Sequence, residues 1–116
     1  MTLNDYAKRV HKANKKWWIN LYTGKPLKRN KGEMIALIHS ELSEALEGVR
    51  KDLPDEKLPH RKAEEVEMAD AVIRIFDYCA GHGLDLDGAF EEKMRYNKTR
   101  VDHSIKHRKS KHGKKI

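Results

Sequence analysis

Glu41 and Glu44 stand three residues apart, and after twenty-two intervening residues Glu67 and Asp70 repeat the spacing. Glu47 and Glu64 extend the two series by a further step of three. Three residues advance a helix by about 300°, so each pair leaves its helix on one face, one turn apart. Like charges at that spacing destabilise an isolated helix by about 0.2–0.5 kcal/mol. Two such pairs on adjacent antiparallel helices would also repel across the gap. A divalent cation with oxygen ligands removes the conflict, and Mg²⁺ or Mn²⁺ suits carboxylates. One acidic pair is common on a solvated face because Glu is a good helix former. Two pairs on consecutive helices, each beside apolar residues (Ile38, Leu42, Val66, Ile73), point instead to a shared metal site. A carboxylate di-iron centre would need Glu-x-x-His on its helices, and no Glu here is followed by His at that distance.

Lys93, Asn97 and Arg100 step by four and then three, which places two cations and an amide in one stripe. Such a stripe can grip a polyphosphate whose metal the acids hold, or simply form a solvated face paired with Glu92. Trp17 continues an apolar stripe and is expected in the core or in a subunit contact. Trp18 lies about 100° further round, on a face with His11 and Asn14. A flat aromatic beside an amide can stack on and read a nucleobase, so Trp18 and Asn14 are the candidate specificity residues. His39, two residues before Glu41, points away from the acidic face and reads as packing. Cys79 reads as a small buried apolar residue, and Arg29 as a solvated loop arginine.

Glu41-Leu-Ser-Glu44 followed by Glu67-Met-Ala-Asp70 resembles the E-x-x-E…E-x-x-D signature of the all-α NTP pyrophosphohydrolases, the MazG-like group. Lys93-Met-Arg-Tyr-Asn97-Lys-Thr-Arg100 is similar to that group's K-x-x-x-N-x-x-R element. The resemblance spans about residues 10–101 and looks closest to the short, single-domain members found in phages and bacteria. It implies a four-helix bundle completed by homo-oligomerisation, as a homodimer or homotetramer. The implied reaction is metal-dependent hydrolysis of a nucleoside triphosphate, a dNTP by preference, to the monophosphate and pyrophosphate. On this analogy Glu41, Glu44, Glu67 and Asp70 are the catalytic metal ligands for Mg²⁺, with Mn²⁺ as a substitute. Lys93 and Arg100 would hold the outer phosphates, and Asn97 would position them. The group often has a second Glu directly before the first motif Glu, and this chain has Ser40 there.

The elements that must position these residues read as helices. Apolar residues recur at three and four over about 3–21, 33–51, 60–80 and 88–107, with no sustained alternation of period two. Prolines at 26, 54 and 59 mark two loops, and Gly81-His-Gly83 closes the third helix. Asp87 is the expected cap of the fourth helix, with Phe90, Met94, Val101 and Ile105 turned inward. Residues 1–106 form the expected domain, and 107–116 a basic, disordered tail.

The chain has 116 residues, 38% hydrophobic and 37% charged, which fits one domain with a thin core that a second subunit would complete. The longest apolar run, Met34 to Ile38, is five residues, too short for a bilayer span. One cysteine excludes an intrachain disulfide framework. A cytoplasmic protein is expected, in the host cytoplasm if it is phage-encoded. The net charge of +7 is segregated: +8 over residues 1–32, −6 over 33–100 and +5 over 101–116. The basic ends are where nucleic acid could bind, and a non-enzymatic helical nucleic-acid-binding or adaptor protein is the alternative reading.

Overall fold

Thr2 and Asp5 start the first helix by reciprocal capping. The Asp5 amide donates to Thr2 Oγ1 at 3.1 Å, and the Thr2 amide to Asp5 Oδ2 at 2.9 Å. The computed structural model describes residues 1–100 and 104–116. Its described elements are helical, with isolated bridges at Ile19–Pro26 and Pro54–Lys62. The chain is therefore all-α. It divides into two compact units, Met1–Leu84 and Asp85–Ile116.

In the first unit, α1 covers Leu3–Ala13. It stops well before the expected residue 21. The Asn14 amide turns back to Val10 O (2.9 Å) and His11 O (3.1 Å), and the chain tightens into a 3₁₀ turn over Lys15–Trp18. A 3₁₀ turn advances about 120° per residue, so the α-helical register of the stripe is lost. Trp17 is left 61% exposed, which corrects its expected place in the core of the chain. Trp18 is the tryptophan that turns inward, half-buried.

The second helix, α2, covers Lys31–Lys51. Asn30 caps it by accepting from the Glu33 amide at 2.9 Å, and it ends at Asp52 in the left-handed region (φ 50°). The third, α3, covers Ala63–Gly81, and Gly83 takes the left-handed conformation (φ 68°) just beyond it. These bounds agree with the apolar period to within two or three residues. α3 packs against both α2 and α1. Among the described residues Ala7, Met34, Ala45, Ala71 and Cys79 are the buried apolar ones, and apart from Met34 their small side chains let the helices approach closely. At Gly48 a Cβ would fall 2.9 Å from Ala63 Cβ, and glycine there admits the start of α3.

In the second unit, α4 covers Leu86–Thr99. Its cap is Asp85, whose Oδ1 accepts from the Gly88 amide at 2.9 Å, and not Asp87. The helix does not run to 107. Arg100 is extended (φ −71°, ψ 127°), and Ile105–Arg108 forms a separate turn, α5, capped by Ser104. Phe90, Met94 and Ile105 are 47%, 49% and 70% exposed, against their expected inward placement. One helix and one turn have too little surface to enclose them. Val101 lies outside the described residues. After α5 the Arg108 guanidinium donates to Lys114 O at 3.0 Å and Lys115 O at 2.7 Å. No described helix is long and apolar enough to cross a membrane.

Candidate functional site

The packing of α2 on α3 brings the two acidic motifs together. One carboxylate oxygen from each of Glu41, Glu67 and Asp70 can lie within 4.8 Å of the other two. Glu41 is buried (9% exposed) in the middle of α2, and Arg74 of α3 donates from Nε to its Oε1 at 2.9 Å. Arg74 follows Asp70 by four residues, yet it makes this hydrogen bond across the helix gap. Glu44 is exposed and stands outside the triplet, but it is near enough to act on Glu67.

The charges in this cluster conflict. A shared proton with Glu41 is the largest influence on Glu67; burial and the neighbouring Glu44 add to it, and the carboxyl is pushed up to about 8. Burial raises Asp70 as well, and the charge of Glu41 adds to that, with Arg74 opposing. Burial also pushes Glu41 upward, but hydrogen bonds from Glu67 and Arg74 outweigh it and hold Glu41 below its ordinary value. Glu67 Oε2 is buried without a hydrogen-bond partner. Three carboxylates, one of them with an oxygen that lacks a hydrogen-bond partner, match the ligand set of a hard divalent cation.

The sign of the pH dependence follows from Glu67. Its folded-state value, about 8, lies above the unfolded 4.5, so its contribution to stability is full below 4.5 and is lost as pH rises to 8. Without metal Glu67 should lower the melting temperature between about pH 5 and 8.5, against His82, whose burial-depressed imidazole adds stability as pH rises toward 6.5. Mg²⁺ binding should release a proton and strengthen toward pH 8. Glu67→Gln should flatten both dependences. Thermal unfolding and calorimetry in two buffers of different ionisation heat measure them, and a pH dependence that Glu67→Gln leaves unchanged would refute the assignment.

A cavity of about 640 Å³ opens beside the cluster, and Glu41, Asp70 and Arg74 form part of its wall. Asn14, Trp17, Arg29 and Asp77 also line it, together with apolar residues that include Met34 and Ile73. Trp18 is engaged elsewhere: its Nε1 donates to both oxygens of Asp77 at 3.0 Å, and the rings of His11 and His82 stand edge-on to it at 4.9 and 5.3 Å. Of the two tryptophans, Trp17 is the one on the cavity wall with Asn14. Arg29 is half-buried rather than solvated, and donates to Trp17 O at 3.1 Å. Cys79 is buried as expected, whereas His39 is exposed and packs no core. Asp77, 7% exposed, and its partner His11 lie outside the spaced motifs of the sequence. The signal was available: Asp77 follows Asp70 by seven, two turns on the same helical face. Lys93, Asn97 and Arg100 belong to the second unit, where Lys93 Nζ and Arg100 Cζ lie 4.7 and 5.8 Å from the Tyr96 ring centre.

Compared with known protein families, curated proteins and solved structures, the chain matches none.

Proposed function

We propose that the chain is a nucleoside triphosphate pyrophosphohydrolase that uses Mg²⁺, or Mn²⁺ in its place, to convert a dNTP to the monophosphate and pyrophosphate. The observation that carries this reading is the convergence of Glu41, Glu67 and Asp70 within 4.8 Å beside a cavity of about 640 Å³. Bound there, the cation would polarise the α-phosphate and lower the pKa of the attacking water. Glu41, Glu67 and Asp70 hold it, with Glu44 as the fourth carboxylate. Arg74 fixes the Glu41 rotamer and offsets part of the negative charge. In the reaction the water oxygen bonds to the α-phosphorus and the bond to the bridging oxygen breaks. Pyrophosphate leaves, and a proton passes to solvent.

Homo-oligomerisation, as a dimer or tetramer, belongs to the same proposal. Leu46 and Val49 on α2 and Met68 and Val72 on α3 are 60%, 56%, 52% and 46% exposed, which is costly for a monomer in water.

Phosphorus NMR of a dNTP digest with Mg²⁺ tests the chemistry. Monophosphate and pyrophosphate should appear together in equal amounts. Accumulation of diphosphate and free phosphate would place the cut at the wrong bond, and absence of turnover with either cation would overturn the reading.

A further inference from the structure

Asp77 is a buried carboxylate on the cavity wall that hydrolysis leaves unused. It lies about 10 Å along α3 from Asp70 at the helical rise per residue. Ile73 of α3 and Met34 and Leu37 of α2 line the same cavity. Its orientation is fixed before any ligand arrives. Trp18 Nε1 is 3.0 Å from both oxygens, and His11 Nδ1 is 2.8 Å from Oδ1. An indole N–H can only donate, so both oxygens of Asp77 act as acceptors. A carboxylate offers about four acceptor directions. Among the described residues Oδ1 spends two, on His11 and Trp18, whereas Oδ2 serves Trp18 alone. Because Asp77 lines the cavity, Oδ2 can accept one further hydrogen bond from a donor bound there. Asn14 and Arg29, both able to donate, line the same cavity, and Trp17 offers it an open aromatic surface.

We propose that Asp77 is a specificity residue for the base, selecting nucleotides with an amino group at C4 of a pyrimidine or C6 of a purine, beside a ring-nitrogen acceptor, as in cytosine and adenine. This rests on the pyrophosphohydrolase reading and names its substrate class. The amino N–H satisfies the spare lone pair of Asp77, and the adjacent ring nitrogen accepts from Asn14 or Arg29. A base with a carbonyl at the amino position turns an acceptor toward a fixed acceptor and leaves both unpaired. Sites built around a hydrogen bond to the substrate reject analogues that lack it by large factors.

The test uses the full chain with Mg²⁺ and two readouts. Hydrolysis of dCTP, dATP, dUTP, dTTP and dGTP gives kcat/KM, and calorimetry of the five monophosphates gives binding without turnover. At least one of dCTP and dATP should exceed each of dUTP, dTTP and dGTP, which carry a carbonyl at that position, by roughly 100-fold, and the monophosphates should rank in the same order. Asp77→Asn, whose amide can donate, should narrow or invert the ratio through KM more than kcat. Should that variant not fold, the wild-type ranking decides alone. Turnover without amino preference, or an unchanged ranking in folded Asp77→Asn, overturns this inference and leaves the hydrolase standing. Amino-selective monophosphate binding without turnover overturns the hydrolase and keeps the subsite. Neither binding nor turnover overturns both.

Discussion

Asp70→Asn should lower pyrophosphate release by on the order of 100-fold or more while leaving the metal-free protein at least as stable as wild type. Both halves follow from one fact about the residue. Burial, and after it the negative charge of Glu41, raises the Asp70 carboxyl, so its ionised form is disfavoured in the folded chain. Asparagine keeps the shape and removes the charge, which relieves that conflict. The same change leaves a neutral amide where a hard cation needs an anionic oxygen. Stabilisation by Mg²⁺ should therefore shrink as the metal-free melting temperature holds or rises. Glu41→Gln is the poorer probe, because it also strips Arg74 of its 2.9 Å partner and mixes a lost ion pair with the lost ligand. Thermal unfolding with and without Mg²⁺, beside pyrophosphate release, reads both halves. A variant that melts lower without metal yet hydrolyses at the wild-type rate would remove Asp70 from the site.

The acidic cluster was legible because it is written in helical arithmetic. Glu41, Glu67 and Asp70 lie in long helices whose period is set by apolar residues on both sides, and α2 packs on α3 with those faces together. Their convergence needs only the 3.6-residue turn and the pairing of consecutive helices. The first helix failed the same reasoning at Asn14. From there onward the backbone follows tertiary hydrogen bonds rather than local period: Trp18 turns toward a carboxylate fifty-nine residues away, and the 3₁₀ turn follows. No periodic pattern carries that information. Asp77 is less legible: its seven-residue step from Asp70 places it on the same helical face, but the spacing alone does not say what it binds. Its partners are an imidazole from α1 and an indole from the 3₁₀ turn. The inward placement of Phe90 and Met94 assumed neighbours that one helix and one turn do not supply within their own unit.

Gly81→Ala should destabilise the chain by about 2–4 kcal/mol, against the ordinary helix preference for alanine. Gly81 is the last residue of α3, and its φ is not in the left-handed region, so alanine carries no backbone penalty there. By propensity alone the substitution would stabilise, by up to about 1 kcal/mol. The obstacle is the six-membered ring of Trp18. An added Cβ would lie 2.9 Å from Trp18 Cζ3 and closer still to Cη2 and Cζ2 of the same ring. The ring cannot simply swing away, because its Nε1 is held by both oxygens of Asp77. Either the overlap persists or the hydrogen bonds break and leave a buried carboxylate under-satisfied, which costs about 1–3 kcal/mol in itself. Phenylalanine at position 18 does not reach the atoms in question. In a Trp18→Phe background Gly81→Ala should therefore lose its penalty and become neutral or mildly stabilising. Chemical denaturation of the four proteins of this cycle gives the coupling directly, with a change of sign as the signature. Equal costs of Gly81→Ala in the two backgrounds would mean that the indole does not rest on Gly81. The orientation of Asp77 would then need another cause.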